Sequence, residues 1–378
     1  MSRPEYEVAD VIRQFGARFI AEHHPNSYQL RILNALLVCR TASLGGHREV
    51  CSCCGKKRIS YNSCRNRHCP KCQATKQAIW TSKLMDTVLP VKHYHIVFTV
   101  PHQLNQICQL NSKWFYSLLF SVVWETLRQF GYTRFGVETG AVCVLHTWGQ
   151  NLSLHPHIHC IVPASGETLT GKMKNIGAHG KYLYPVKQLS HVFRAKMMGQ
   201  IIQFLEREQL MMRYKQLLKP VWEKPWVVFC EPSFGKPGHV IKYLGQYTHR
   251  VAITNQRILN IDDQDVTFLS KDYNDGAKQK PVTLSGIEFL RRFCQHILPY
   301  RFVKIRRYGI YSSRYKAIAR KQNPKMEITL EPPETIREQV RRVSGVDIYL
   351  CPFCRVGTMQ RVEVLPRIRS PAKSLHCE

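Results

Sequence analysis

Leu154-His155-Pro156-His157-Ile158-His159-Cys160-Ile161-Val162 sets three histidines at alternating positions ahead of an apolar run. Alternation at period two is strand geometry, so the three imidazoles leave one face of a β-strand. Ile158, Ile161 and Val162 are β-branched and suit a buried strand, while Pro156 has no N–H for a ladder and marks the strand's beginning. Neutral imidazoles two residues apart can share one divalent metal. A single histidine here would read as a core residue; three on one face read as a ligand set.

Upstream, Ala141-Val142-Cys143-Val144-Leu145-His146 reads as a second strand, and Trp148-Gly149-Gln150-Asn151 turns the chain between the two. If His146 opposes His157, Val144 opposes His159 and all four side chains share a face. That register makes His146 a third ligand. His155 and Gln150 are the alternatives, because a slip of one residue changes the partner.

Further out, Tyr94 to Val100 is a strand stopped by Pro101. Phe115, Leu118, Leu119 and Val122 then form one face of a helix expected to end at Gly131. A helix from Val186 to Leu205 precedes the strand Trp226–Cys230. Strand, helix, strand, strand, helix, strand is the ferredoxin-like (RRM-like) order. The fold class is therefore α+β, with an antiparallel sheet, helices on one face and the histidines on the open face.

The chain has 378 residues, enough for two or three domains, and 44% of them are hydrophobic. Its 55 Lys and Arg stand against 26 Asp and Glu, a net charge of +29. That excess points to nucleic acid as the polyanionic partner, ahead of an anionic membrane surface. Met1 to Glu5 lacks a signal-peptide core, and the apolar stretch from Trp114 to Trp124 is too short to span a bilayer. The expectation is a soluble cytoplasmic protein.

Fifteen cysteines, an odd number clustered in Cys-x-x-Cys pairs, favour metal ligation over disulfides. Cys51 and Cys54, followed by Cys69 and Cys72, have the spacing of a closed four-thiolate structural zinc site. Cys64 and His68, with Cys53 and His47, could complete a second site or replace one thiolate. Cys39 reads as a small buried side chain, and Cys351/Cys354 as half a zinc site, which fits a minimal ribbon, a remnant or two free thiols, the metal-free readings being favoured. Residues 5 to 40 read as two helices and residues 73 to 90 as another. Tyr243 and Tyr247 are i and i+4 on a helix, so both hydroxyls leave one face beside Lys242 and Arg250. From Arg291 to Lys325 there are eleven Lys or Arg, Arg306 and Arg307 among them, no acidic residue, and tyrosines interleaved. That mixture suits single-stranded DNA, with charges tracking phosphates and rings stacking on bases, and Arg250, Arg306 and Arg307 are the arginines expected on it.

Three motifs in order carry a resemblance: the Cys51/Cys54/Cys64/Cys69/Cys72 region, His146-Thr147-Trp148-Gly149-Gln150 through His159, and Tyr243-Leu244-Gly245-Gln246-Tyr247 ahead of His249-Arg250. Over most of residues 45 to 320 the chain resembles the two-tyrosine HUH rolling-circle transposases of bacterial insertion sequences, which carry an N-terminal zinc-binding domain. The resemblance implies that His157 and His159 hold Mg²⁺ or Mn²⁺ on the scissile phosphate. Tyr243 and Tyr247 would be nucleophiles that form 5′-phosphotyrosine links on single-stranded insertion-sequence ends. No G-x-x-x-x-G-K-[ST] loop is present, so no ATPase segment is expected. The expected organisation is a helical segment at 1–45, a zinc-binding domain at 46–90, an HUH nuclease domain at 91–270, a basic helical DNA-binding region at 271–345 and a Cys-containing tail at 346–378. A plasmid replication initiator or relaxase would share this chemistry. A non-catalytic zinc-containing DNA-binding regulator and a three-histidine metallohydrolase are the readings of other classes.

Overall fold

The structure is a computed structural model that describes residues 4–73, 89, 91–177, 183–232, 251–272, 275–313, 335, 337, 338, 340, 341 and 347–368. The expected helix at 73–90 lies almost wholly outside them, as do Tyr243, Tyr247 and Arg250.

Among the described residues the helices are, in chain order, α1 Val8–His23, α2 Ser27–Leu37, α3 Asn105–Leu110, α4 Ser112–Phe135, α5 Val186–Arg207, α6 Met211–Glu223 and α7 Gly286–Gln295. The strands are β1 Gly46–Cys51, β2 Lys57–Tyr61, β3 His93–Thr99, β4 Val137–Glu138, β5 Gly140–Trp148, β6 Leu154–Pro163 and β7 Ser165–Thr168. They continue with β8 Met173–Asn175, β9 Val228–Pro232, β10 Ile258–Ile261, β11 Asp265–Asp272, β12 Lys278–Ser285, β13 Ile305–Gly309 and β14 Met359–Leu365.

The main sheet has the order β13-β5-β6-β3-β9, and every neighbouring pair is antiparallel. Taking β3, β5, β6 and β9 as the first to fourth strands, their spatial order is second, third, first, fourth. That is the ferredoxin-like arrangement, with β13 added at one edge. Alternation divides the strands cleanly. Tyr94, Ile96, Phe98, Cys143, Leu145, Ile158, Cys160 and Val162 form one apolar core with Phe115, Leu119 and Val123 of α4 and Phe193, Met197 and Ile201 of α5. Both helices therefore cover one face, and His146, His157 and His159 leave the other.

α4 runs past Gly131 to Phe135 and ends with Gly136 in the left-handed region at φ 68°. Gly131 serves close approach instead, since a Cβ there would sit 2.9 Å from the Val137 carbonyl oxygen. At the far edge, Gly309 has φ 54°, and a Cβ would overlap the Thr139 carbonyl oxygen at 1.9 Å. β13 can leave the sheet there only through glycine.

A second core joins α1, α2 and α7 to the small antiparallel sheet β10-β11-β12, through Val11, Ile12, Phe15, Phe19, Phe268, Phe289 and Phe293. Within residues 271–345, expected to be helical, the described residues include the strands β12 and β13 as well as α7. Ile305, Arg306 and Arg307 alternate along a strand, which is why the basic run does not form a helical face there. A third sheet, β14-β1-β2, pairs the N-terminal residues 46–61 with residues 359–365. The strands β4, β7 and β8 form a further small sheet. Among the described residues, no helix is long and apolar enough to cross a membrane.

Candidate active site and metal centres

β5 and β6 pair in the register expected from the sequence: His146 opposes His157, and Val144 opposes His159. The ligand atoms of His146, His157 and His159 lie within 4.8 Å of one another. Each ring is aimed by a neighbour. His157 Nδ1–H donates to the His155 carbonyl at 2.6 Å, which leaves its Nε2 as the lone-pair nitrogen. His159 Nδ1 is 2.8 Å from His95 Nε2, with the two rings stacked at 5.1 Å. A ligating Nε2 on His159 puts the proton on Nδ1, and that N–H then donates to His95. His146 is stacked on Trp148 at 4.7 Å, across an irregularity in the β5–β6 ladder.

Burial holds His157 and His95 down to about 4, so both are neutral near pH 7. A neutral His157, with the second nitrogens of His157 and His159 engaged, fits a divalent cation shared with His146.

The histidine face is not open. His93, His95, His146 and His159 are all buried. The Tyr311 hydroxyl reaches His93 Nε2 at 2.7 Å, and Trp148 caps His146. The expected open face is instead covered, because residues from the end of β5 and from beyond β13 fold over it. The hairpin loop beneath is held by its carbonyls. Arg257 donates to Gln150, Arg292 to Asn151 at 3.1 Å, and His296 Nε2 to Leu152 at 3.0 Å. The Thr147 hydroxyl and His296 Nδ1 are 3.2 Å apart, and burial holds His296 at about 4.

His95 was missed as a site residue. His93 and His95 repeat in β3 the period-two pattern that stands out in β6, and that repetition was the available signal. Of the three arginines expected on DNA, Arg250 lies outside the described residues, while Arg307 pairs with Val142 and is exposed on the histidine side. Arg306 pairs with Cys143 and lies over the rings of Phe120 and Phe302, 4.3 and 5.2 Å from their centroids.

Cys51, Cys54, Cys69 and Cys72 do not form one site. Cys69 and Cys72 gather with Cys39 and Cys64, while Cys51 and Cys54 gather with Cys351 and Cys354. In the first cluster the sulfur separations are 3.5 Å for Cys39–Cys69, 3.6 Å for Cys39–Cys72 and 3.7 Å for Cys64–Cys72. Four thiolates at ~2.3 Å from one zinc stand about 3.8 Å apart at a tetrahedron's edge, whereas a disulfide needs about 2.05 Å. The spacing of two Cys-x-x-Cys pairs suggested one knuckle. The chain instead places Cys39, just after α2, beside the second pair, with the Cys64 N–H 3.4 Å from its sulfur. His47, Cys53 and His68 belong to neither cluster. His47 is paired with Glu49 at 3.1 Å, and burial holds His68 down to about 3.

A ferredoxin-like sheet with a His-x-His strand and a facing third histidine is an HUH-type site. Comparison with known proteins gives the same class. Residues 11–100 match the family described as "Transposase zinc-binding domain", and residues 140–318 match the one described as "Putative transposase". A Sinorhizobium fredii (strain NBRC 101917 / NGR234) protein named "Putative transposase y4qJ" is 37% identical over 394 residues, covering 99% of both chains. The "Transposase for insertion sequence element IS801" of Pseudomonas savastanoi pv. phaseolicola is 25% identical over 80% of this chain and 74% of its own. No solved structure matches. The chain belongs to the IS91-type HUH transposases of bacterial insertion sequences, with an N-terminal zinc-binding domain.

Proposed function

We propose that this transposase nicks and rejoins single-stranded DNA at insertion-sequence ends, using Tyr243 and Tyr247 as nucleophiles together with a metal held by the histidine set. The observation that carries this reading is the convergence of His146, His157 and His159, whose ligand atoms lie within 4.8 Å. Mg²⁺ or Mn²⁺ held by these three residues would supply Lewis-acid stabilisation and orientation at the scissile phosphate. A tyrosine oxygen attacks phosphorus and forms a 5′-phosphotyrosine bond; the 3′ oxygen leaves and takes up a proton as a free 3′ hydroxyl. Rejoining is the reverse attack by a 3′ hydroxyl, which returns the tyrosine. Two tyrosines permit a second cut while the first end is still covalently held. His95 and the His155 carbonyl keep the ligating nitrogens of His159 and His157 pointed inward.

Arg250 and Arg307 contact DNA phosphates in this reading, and a structural zinc ion occupies Cys39, Cys64, Cys69 and Cys72. The reaction takes place in the cytoplasm, where the DNA is.

Nicking of a labelled single-stranded oligonucleotide carrying an insertion-sequence end tests the proposal. His157→Ala and His159→Ala should lose cleavage by about 10²-fold or more and keep DNA affinity, because most binding comes from the basic surface. Cleavage by His157→Ala at the wild-type rate would place the chemistry elsewhere.

A further inference from the structure

The Cys51-Cys54-Cys351-Cys354 group lies across the junction of the N-terminal and C-terminal parts of the chain, outside both matched family segments on its C-terminal side. Cys54 Sγ is 3.8 Å from Cys351 Sγ, and Cys51 Sγ is 3.6 Å from Cys354 Sγ, partners 297 and 303 residues apart in sequence. These are the edge lengths of a four-thiolate zinc tetrahedron, about 3.8 Å, and far from a disulfide's ~2.05 Å.

Both pairs are built as knuckles. The N–H groups of Cys53 and Cys54 point at Cys51 Sγ at 3.3 and 3.4 Å, and that of Gly357 points at Cys354 Sγ at 3.4 Å. Such N–H groups stabilise thiolate charge. Gly357 is required by this packing, since a Cβ there would lie 2.7 Å from Cys51 Sγ.

The surrounding sheet supplies little cohesion of its own. Cys51, Cys351 and Met359 are the buried members of the apolar cluster here, with Cys354 packed against them, and most of β14 is exposed. A hydrophobic core this small does not hold a β-module together, and a structural metal is one of the few substitutes.

We propose that Cys51, Cys54, Cys351 and Cys354 bind a second structural zinc ion, which fastens β14 to β1 and so ties the C-terminal segment to the N-terminal zinc-binding domain. The assignment extends the zinc reading from one site to two. It is independent of the nicking chemistry and stands or falls separately from it.

Two measurements on the full-length chain, purified with zinc, test the assignment. Elemental analysis should find one zinc ion fewer per chain in Cys351→Ser/Cys354→Ser than in the unsubstituted protein, and no loss in Cys53→Ser. Timed alkylation of the unsubstituted protein, with peptide mapping, covers the case in which the double variant misfolds. Cys53 and Cys54 are both exposed, so without metal they should react alike. With zinc bound, Cys53 should react at once, while Cys51, Cys54, Cys351 and Cys354 should react only after a chelator is added. Unchanged zinc content in the double variant, or Cys54 reacting as fast as Cys53 in the zinc-loaded chain, would overturn the assignment.

Discussion

Arg306 and Arg307 are neighbours in β13, yet alternation sends them to opposite faces and to different work. Arg306 packs over Phe120 and Phe302 on the helix side and reaches the Ser117 hydroxyl at 3.4 Å. Arg307 is exposed on the side of the histidines. Arg306→Ala should therefore cost about 1–2 kcal/mol of stability through lost stacking and packing of its stem, read by urea denaturation. Arg307→Ala should leave stability alone and reduce the slope of log affinity for single-stranded DNA against log salt by about 0.7 for one lost phosphate contact. Equal effects of the two substitutions on DNA binding would mean that the face assignment does not govern their roles.

The β5–β6 hairpin is the element on which the site depends, and its register was legible before its surroundings were. A slip of one residue would turn His146 away from His157 and bury polar side chains among Phe115 and Phe193, so the pattern admits one pairing. What lay over the hairpin was not legible. His296, Arg257 and Arg292 reach its loop from more than a hundred residues downstream, and local periodicity carries no trace of such contacts. The same holds for the thiolates. Cys-x-x-Cys spacing pointed to metal ligation as a type, but not to the groupings, because Cys39 and the Cys351 pair meet their partners only through the tertiary fold.

His296 gives this element a pH signature. Its folded value is about 4, below the ordinary 6.5, because burial penalises the charged ring and outweighs the hydrogen bond to the Leu152 carbonyl, which pulls the other way. Between those values the unfolded chain binds more protons, so the stabilisation is complete above pH 6.5 and is lost as pH falls toward 4. Between pH 7.5 and 5.5, the wild type should lose about 1 kcal/mol more than His296→Gln, in paired denaturant titrations. Parallel losses in the two proteins would contradict a neutral, clamping His296.

At the scale of the whole molecule, the charge of +29 separates binding from chemistry. If six or more phosphates are contacted, affinity for single-stranded DNA should fall on the order of 10³-fold between 50 and 200 mM salt. A fluorescence-anisotropy titration across that range measures it, and a flat response would remove the basic excess from the interface. The ferredoxin-like order, the histidine strand and the basic balance were all readable in the sequence because each is a local or compositional property. The closure of the chain by β14 on β1 was not, because it joins segments some three hundred residues apart.

The proposed chemistry joins a tyrosine covalently to DNA with the help of a metal at the His146–His157–His159 set. The direct measurement is peptide mapping of the protein–DNA adduct formed on a single-stranded insertion-sequence end in Mg²⁺ or Mn²⁺. The adduct in the unsubstituted protein should be a 5′-phosphotyrosine on Tyr243 or Tyr247. Either single Phe variant should form reduced or selective adducts, and Tyr243→Phe/Tyr247→Phe none. An adduct on another residue, or undiminished adduct formation by the double variant, would contradict this chemistry.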